Sequence, residues 1–109
     1  MISAVSKIKE NLGPIDILVN CAGLGIFKSI NEMSKKEWGL TYNLNLKAIF
    51  MCTQTVVKDM MIRKNGLIIN IGSMAGLVAG HEKTFAYFGS KWALAGVSRC
   101  LGACPTFHC

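Results

Sequence analysis

The sequence lacks several features that would each define a class of protein. No apolar run reaches the roughly 18 residues that a membrane-spanning helix requires. The amino terminus carries no basic segment followed by an apolar stretch, which a secretory signal would need. Internal repeats, linkers and low-complexity stretches are also absent. We therefore expect at most one domain in 109 residues, with a cytoplasmic location and no membrane partner.

Acidic residues are scarce, with six Asp and Glu against twelve Lys and Arg, which gives a net charge of +6. Such an excess of positive charge can attract nucleic acid or an anionic cofactor. Apart from the pairs Lys35-Lys36 and Arg63-Lys64, however, the basic residues are scattered. None alternates with aromatic side chains as in a groove for single-stranded nucleic acid. The placement of the charges therefore argues against a nucleic-acid partner.

Hydrophobic residues make up 51% of the chain, a high fraction for a small soluble domain. A chain this short buries a smaller share of its surface than a domain of ordinary size, so we expect marginal stability. The composition is typical of a core segment from a larger domain. Open strand edges and bare helix faces in such a segment would favour aggregation.

Cysteine occurs five times, an odd number, and without a secretory signal this predicts reduced thiols. Three of the five lie near the end of the chain, and together with a histidine they form a conceivable zinc ligand set. The four residues are Cys100, Cys104, His108 and Cys109. They lack the Cys-x-x-Cys spacing of structural zinc sites and form a single knuckle. We therefore expect no metal site and interpret the cysteines as ordinary thiols.

Apolar periodicity and helix-end signals predict five secondary-structure elements. In chain order these are a helix over about 2–12, a strand over 15–20, a helix over 34–64, a strand over 67–73 and a helix over about 85–101. The second helix begins at a capping box, Ser34 to Glu37, and ends at Asn65-Gly66. This order predicts a parallel sheet with right-handed crossovers and helices on both faces, for which two strands are too few.

Polar residues at the strand ends and on the last helix form the candidate site. Ligands of such folds bind beyond the carboxyl ends of the strands, where Asn20 and Ser73 lie. Tyr87 and Lys91 are four residues apart on a helix, so their side chains project from the same face. Simpler interpretations exist, namely an ordinary amphipathic face for Tyr87 and Lys91 and a turn or cap for Ser73.

Asn45 lies inside the long predicted helix, where asparagine is unfavourable because its side chain competes for backbone hydrogen bonds. Its simplest interpretation is a solvent-facing residue. The neighbouring Asn43 is an alternative to Asn45 as the functional asparagine of this helix.

Four segments resemble those of the classical short-chain dehydrogenases/reductases. Asn20-Cys21-Ala22-Gly23 is similar to the family's Asn-Asn-Ala-Gly strand end, and Asn43 to Phe50 resembles its mid-helix Asn-Leu segment, with Asn45 in the register of the catalytic Asn. The segment 68–76 resembles the strand that bears the catalytic Ser, here Ser73. Tyr87 to Lys91 matches the Tyr-x-x-x-Lys signature. The order and near-family spacing of all four make the resemblance specific, and it covers nearly everything up to Arg99.

The resemblance implies an α/β fold with a partial Rossmann-type, doubly wound parallel sheet that lacks the N-terminal cofactor-binding strands and the C-terminal strands. It implies hydride transfer between NAD or NADP and a secondary alcohol or ketone. Asn45, Ser73, Tyr87 and Lys91 would be the catalytic residues. Tyr87 would exchange a proton with the substrate oxygen, aided by the neighbouring ammonium group, while Ser73 bonds the same oxygen.

Cofactor contacts follow from the same resemblance. Lys91 would hold the nicotinamide ribose next to Tyr87, and Asn45 would position a water in the proton relay. Asn20, Ala22 and Gly23 would lie against the cofactor, because small residues allow close approach of the backbone. Nothing in the sequence distinguishes NAD from NADP.

The chain also departs from the family pattern. It contains no glycine-rich phosphate loop, since Gly23-Leu24-Gly25 lacks the third glycine and the helix start. Cys21 replaces the usual second Asn, Gly72 stands where many members have Ser, and the interval from Ser73 to Tyr87 is about one residue longer than is usual in the family. We expect residues 1–99 to be the central part of a dehydrogenase domain and 100–109 to be a divergent, cysteine-rich tail that is not the family's own continuation.

Two functions follow from these observations. In the first, the full-length parent is a dehydrogenase or reductase that forms a dimer or tetramer, and the 109-residue chain alone is inactive because it cannot fix its cofactor. In the second, the chain is a truncated, inactive relative that pairs with an intact subunit. The helices over about 34–64 and 85–101, which commonly form the family's dimer interface, would mediate this pairing.

Overall fold

The computed structural model describes residues 2–103. Its helices are α1 (Ile2–Leu12), α2 (Lys35–Tyr42), α3 (Ala48–Arg63) and α4 (Phe85–Gly102), with a π-helical segment at Asn43–Lys47 and a 3₁₀ turn at Met74–Gly76. The strands are β1 (Ile17–Asn20) and β2 (Leu67–Asn70). The five predicted elements are therefore present, although both strands are shorter than expected and the middle helix is interrupted.

The two strands form a parallel pair whose carboxyl ends meet. Ile17 is opposite Leu67 and Asn20 is opposite Asn70. Asn20 donates from Nδ2 to Asn70 Oδ1 at 2.8 Å, and Asn70 Nδ2 in turn donates to Ser98 Oγ of α4 at 2.9 Å. This chain of side-chain hydrogen bonds fixes the strand register and ties α4 to the end of the sheet.

The core lies on one face of this sheet. Val56 and Met60 of α3 are buried against Ile68, and four partly buried residues surround them: Val5, Ile15, Leu18 and Val57. On the opposite face the side chains of Ile17, Val19, Leu67 and Ile69 are exposed. The expectation of helices on both faces is thus met for one face only in residues 2–103. A single right-handed crossover between neighbouring strands places its helices on one face.

The expected single α-helix over 34–64 is wrong in its middle. Between α2 and α3 the backbone widens into the π-helical segment, where the N–H of Ala48 bonds to the carbonyl oxygen of Asn43. A π-bulge accommodates an extra residue in the helix and is frequent at functional sites. Here it surrounds Asn45, whose side chain bonds outside the helix.

Gly66 does not itself end the helix, as the sequence predicts it would, but has a different role. The helix ends at Arg63, and Lys64 takes the left-handed conformation that caps it, with φ 52°. A β-carbon on Gly66 would overlap the side chain of Met60. Gly66 therefore allows the chain to pass close to a core methionine as it enters β2.

An aromatic stack joins α2 to α4. The Trp38 ring stacks on Tyr42 with centroids 4.4 Å apart and on Phe85 with centroids 5.5 Å apart. The hydroxyl oxygen of Tyr42 lies only 2.5 Å from the place that a β-carbon on Gly89 would occupy. The glycine thus permits the approach of the two helices that sets the position of α4.

The start of α2 is held by the predicted capping box. Ser34 Oγ accepts from the Glu37 N–H at 3.2 Å, and the Ser34 N–H donates to Glu37 Oε2 at 3.0 Å. Lys28 donates to the other carboxylate oxygen at 2.6 Å. The Lys28 hydrogen bond, followed by those of Ser34, holds the pKa of Glu37 at about 2, below its ordinary value of 4.5.

These contacts predict that the start of α2 frays in acid. Because the folded-state pKa is depressed, the stabilisation is complete above about pH 4.5 and is lost as the pH falls through about 2. Hydrogen-exchange protection of the Ser34 and Glu37 amides is expected to fall over this range. In Glu37→Gln, whose side chain is neutral throughout, protection should not change with pH. The same pH dependence in that variant would contradict the assignment.

Candidate active site

A cleft of about 370 Å³ opens beyond the carboxyl ends of the two strands, where the sequence places the candidate site. It lies between the loop after β1, the residues after β2 and the first turn of α4. Its lining residues are Cys21, Gly23, Leu24, Gly25, Phe27, Ile71, Gly72, Tyr87 and Lys91.

Tyr87 and Lys91 share one face of α4 and both line this cleft. Lys91 is only 5% exposed. Its ammonium nitrogen donates to the Ile71 carbonyl oxygen at 3.0 Å and lies 5.9 Å from the centroid of the Tyr87 ring. A buried charge is costly unless it is hydrogen-bonded, and an ammonium group has three donors. The arrangement therefore suits an additional oxygen-rich ligand beside the tyrosine.

Asn45 is fully buried, with 0% exposure, whereas Asn43 is exposed. The Asn45 amide bonds to both backbone groups of Leu24: Oδ1 accepts from the N–H at 2.7 Å and Nδ2 donates to the carbonyl oxygen at 2.8 Å. The simple interpretation of Asn45 as a solvent-facing residue is wrong. This residue holds the loop after β1 against the helical layer.

Ser90 links Asn45 to the tyrosine and was not singled out from the sequence. It is buried, and its Oγ accepts from Asn45 Nδ2 at 2.9 Å and donates to the Tyr87 carbonyl oxygen at 2.7 Å. A serine next to Lys91 carries no distinctive sequence signal. Its partner on another helix becomes visible only in three dimensions.

Ser73 follows β2 and begins the 3₁₀ turn. Its Oγ accepts a hydrogen bond from the Ala75 N–H at 3.1 Å, which is the helix-cap interpretation. Ser73 is half-buried and is not among the residues that line the cleft. The structure thus brings Asn45, Tyr87 and Lys91 into one connected group, with Ser73 at its edge.

The three proposed cofactor contacts after β1 differ in their surroundings. Asn20 is buried and its side chain bonds to Asn70. Ala22 and Gly23 are both exposed, but only Gly23 of the two lines the cleft. A β-carbon on Gly23 would meet Lys91 Nζ at 3.7 Å and Asn45 Oδ1 at 3.6 Å, which is ordinary contact. Small residues here leave the space in front of the Lys91 ammonium open.

These residues fit the ribose end of a nicotinamide cofactor. The ammonium of Lys91 is a donor suited to ribose hydroxyl groups, and the open backbone at Gly23 gives such a ligand access.

Residues 2–103 contain no group of three or more His, Cys, Asp or Glu side chains that could hold a metal ion. Most of the hypothetical zinc ligands, namely Cys104, His108 and Cys109, lie outside the described residues. Within the same range, no helix has both the length and the apolarity needed to cross a membrane.

The chain is similar in sequence to many oxidoreductases. It is 39% identical over 99 residues to 2,3-dihydro-2,3-dihydroxybenzoate dehydrogenase of Bacillus subtilis, an alignment that covers 89% of this chain and 37% of the relative. It is 37% identical over 101 residues to D-threitol dehydrogenase of Mycolicibacterium smegmatis, covering 93% of this chain and 38% of that protein. The chain thus spans less than two fifths of the length of these relatives.

The fold of the chain is also similar to that of dehydrogenases of known structure. Gluconate 5-dehydrogenase of Burkholderia cenocepacia, in complex with NADP and tartrate, superposes with a TM-score of 0.87 at 28% identity, over 94% of this chain and 40% of that one. The fold is accordingly a partial Rossmann-type sheet. The family model for short chain dehydrogenases matches residues 1–104, which extends beyond the tail boundary expected at Arg99. The chain belongs to the short-chain dehydrogenase family.

Proposed function

We propose that the full-length protein carrying this chain transfers a hydride between a nicotinamide cofactor and a secondary alcohol or ketone. The observation that carries the proposal is the pairing of Tyr87 with the buried Lys91 in one cleft beyond the strand ends. A phenol and an ammonium group in that position supply a proton donor and an anchor for a hydroxylated ligand.

In the direction of reduction, Tyr87 Oη gives its proton to the carbonyl oxygen of the ketone. A nicotinamide cofactor, when bound, would supply the hydride that the carbonyl carbon accepts, so that the product would be a secondary alcohol. Ser73 follows Gly72 of the cleft lining, and its Oγ accepts from the Ala75 N–H, so its own hydrogen would be available to a substrate oxygen that extends past that lining. Oxidation of an alcohol uses the same groups in reverse.

Lys91 would hold the ribose hydroxyls of the cofactor, while Asn20, Ala22 and Gly23 would form the adjoining part of the site. These contacts concern the part that NAD and NADP share, so the proposal covers either cofactor. Both amide hydrogens of Asn45 are committed to Leu24 and Ser90. A water positioned by Asn45 must therefore donate a hydrogen bond to an oxygen atom of Asn45.

The test is cofactor oxidation by the full-length protein with a panel of small ketones. We expect turnover in the wild type and its loss in Tyr87→Phe. Turnover that survives in this variant would refute the assignment. We expect the 109-residue chain alone to be inactive in the same assay.

We further propose that the full-length protein is a cytoplasmic homo-oligomer, a dimer or tetramer. The supporting observation is an open groove between the π-helical segment with the helix ends on either side of it and α4, lined by Tyr42, Asn43, Leu46, Lys47, Phe50 and Val97. Phe50, at 57% exposure, protrudes from it. If the 109-residue chain exists by itself, the same groove supports pairing with an intact subunit, and failure to co-purify with one would remove that alternative.

Replacing Phe50 with glutamate is expected to shift the full-length protein toward monomers, because a charge would be buried in the groove. Analytical ultracentrifugation measures the change. Ile62→Glu is the matched control, since Ile62 is more exposed on the same helix and does not line the groove. Equal dissociation in both variants would count against this interface.

A further inference from the structure

Phe27 folds back from the loop after β1 onto Tyr87. The two rings meet edge to face, with centroids 5.7 Å apart and an interplanar angle of 62°. Phe27 lines the cleft, yet 57% of its surface remains exposed. An apolar ring thus stands next to the proposed proton donor with much of its surface open to a ligand.

Gly25 permits this placement. A β-carbon on Gly25 would lie 2.8 and 3.0 Å from two atoms of the Phe27 ring, closer than real side chains come. Any other residue at position 25 would push the ring from its place. The close approach thus makes the position of Phe27 depend on a glycine two residues earlier.

Both flanks of Phe27 are anchored. On one side, Asn45 holds both backbone groups of Leu24. On the other, Lys28 forms its 2.6 Å ion pair with Glu37 at the start of α2. The segment between these anchors is short, so Phe27 is a fixed part of the cleft wall.

The rest of this part of the cleft is largely neutral. Leu24 and Ile71 add apolar surface to Phe27, and among residues 2–103 only Lys91 brings a formal charge to the lining. Its ammonium is directed to the Ile71 carbonyl oxygen and to the space in front of Gly23. A substrate group beside Phe27 would therefore meet this apolar ring and mostly uncharged surroundings.

We infer that Phe27 is a specificity-determining residue that selects ketones and alcohols with an aromatic ring next to the reacting carbon. The inference rests on the proposed function and names its substrate class. Aromatic rings pack favourably at centroid distances of about 4.5–7 Å in offset or edge-to-face geometry, and the open part of Phe27 offers such a contact. A small aliphatic ketone would gain little from it.

The test compares acetophenone with butanone as substrates of the full-length protein. Phe27→Ala is expected to lower the ratio of their kcat/KM values roughly tenfold. Gly25→Ala should lower the same ratio by displacing the ring without removing it. Ile30→Ala is the control, because Ile30 is another exposed apolar residue of this loop, at 77% exposure, and lies outside the cleft.

The outcomes separate this inference from the proposed function. An unchanged ratio in Phe27→Ala, with turnover still lost in Tyr87→Phe, would overturn the inference alone. If the wild type turns over neither these two ketones nor any other ketone of the panel, the proposed function fails, and acetophenone binding measured by saturation-transfer NMR decides the inference. Binding that is lost in Phe27→Ala supports the aromatic subsite, whereas absent or unchanged binding overturns it.

Discussion

Replacing Tyr87 with phenylalanine is expected to lower the rate of ketone reduction by the full-length protein by a factor of roughly 10²–10⁴, the usual contribution of a general acid. The change removes one oxygen atom and leaves the ring, so the edge contact with Phe27 is retained. Steady-state kinetics would show the loss in kcat, with little change in KM, because the proton is transferred only during the chemical step.

The second tyrosine provides the control. Tyr42→Phe removes the same atom from a ring that stacks on Trp38, away from the cleft. It should leave kcat within a few-fold of the wild type. Equal losses in both variants would indicate a general effect on folding, and no loss in Tyr87→Phe would exclude this phenol as the proton donor.

Local signals explain the elements that the sequence predicted. Apolar spacing and the Ser34–Glu37 capping box depend on residues within a few positions of one another, and the structure confirms α1 and the start of α2 where these signals lie. The parallel pairing of β1 and β2 follows from the order of the elements. The meeting of Asn20 and Asn70 at one end of the sheet then follows from the register.

The features that were wrong or missed depend on distant partners. The simpler, solvent-facing interpretation of Asn45 fails because helix propensity contains no information about Leu24, which lies 21 residues earlier. The π-helical segment has the same origin, since it occurs where that side chain bonds outside its own helix. The contact between Phe27 and Tyr87 spans 60 residues, and Gly25 is its only local sign.

One hydrogen-bond network connects these findings. Leu24 and Ser90 both bond to Asn45, and Ser90 bonds to the carbonyl oxygen of Tyr87. The network therefore joins the loop that carries Phe27 to the helix that carries Tyr87 and Lys91. Because Asn45 lies at the centre of this network, its substitution should change both the free energy of unfolding and the geometry of the cleft.

Replacing Asn45 with alanine is accordingly expected to lower the free energy of unfolding by about 3 kcal/mol. The substitution removes three hydrogen bonds, one buried and two partly buried, each of which contributes about 1 kcal/mol net. It also leaves both backbone groups of Leu24 without the partner that the side chain supplied. Urea denaturation of the full-length protein, at an unchanged slope, measures the difference.

Asn43→Ala is the matched control, because Asn43 has the same side chain, lies in the same π-helical segment and is exposed. Its substitution should change the free energy of unfolding by less than about 0.5 kcal/mol, as is usual for surface positions. If the two variants were equally stable, the Asn45 amide would not be what holds the loop after β1. A large loss of stability in Asn45→Ala alone would support the assignment of this buried amide as the group that holds the loop after β1 against the helical layer.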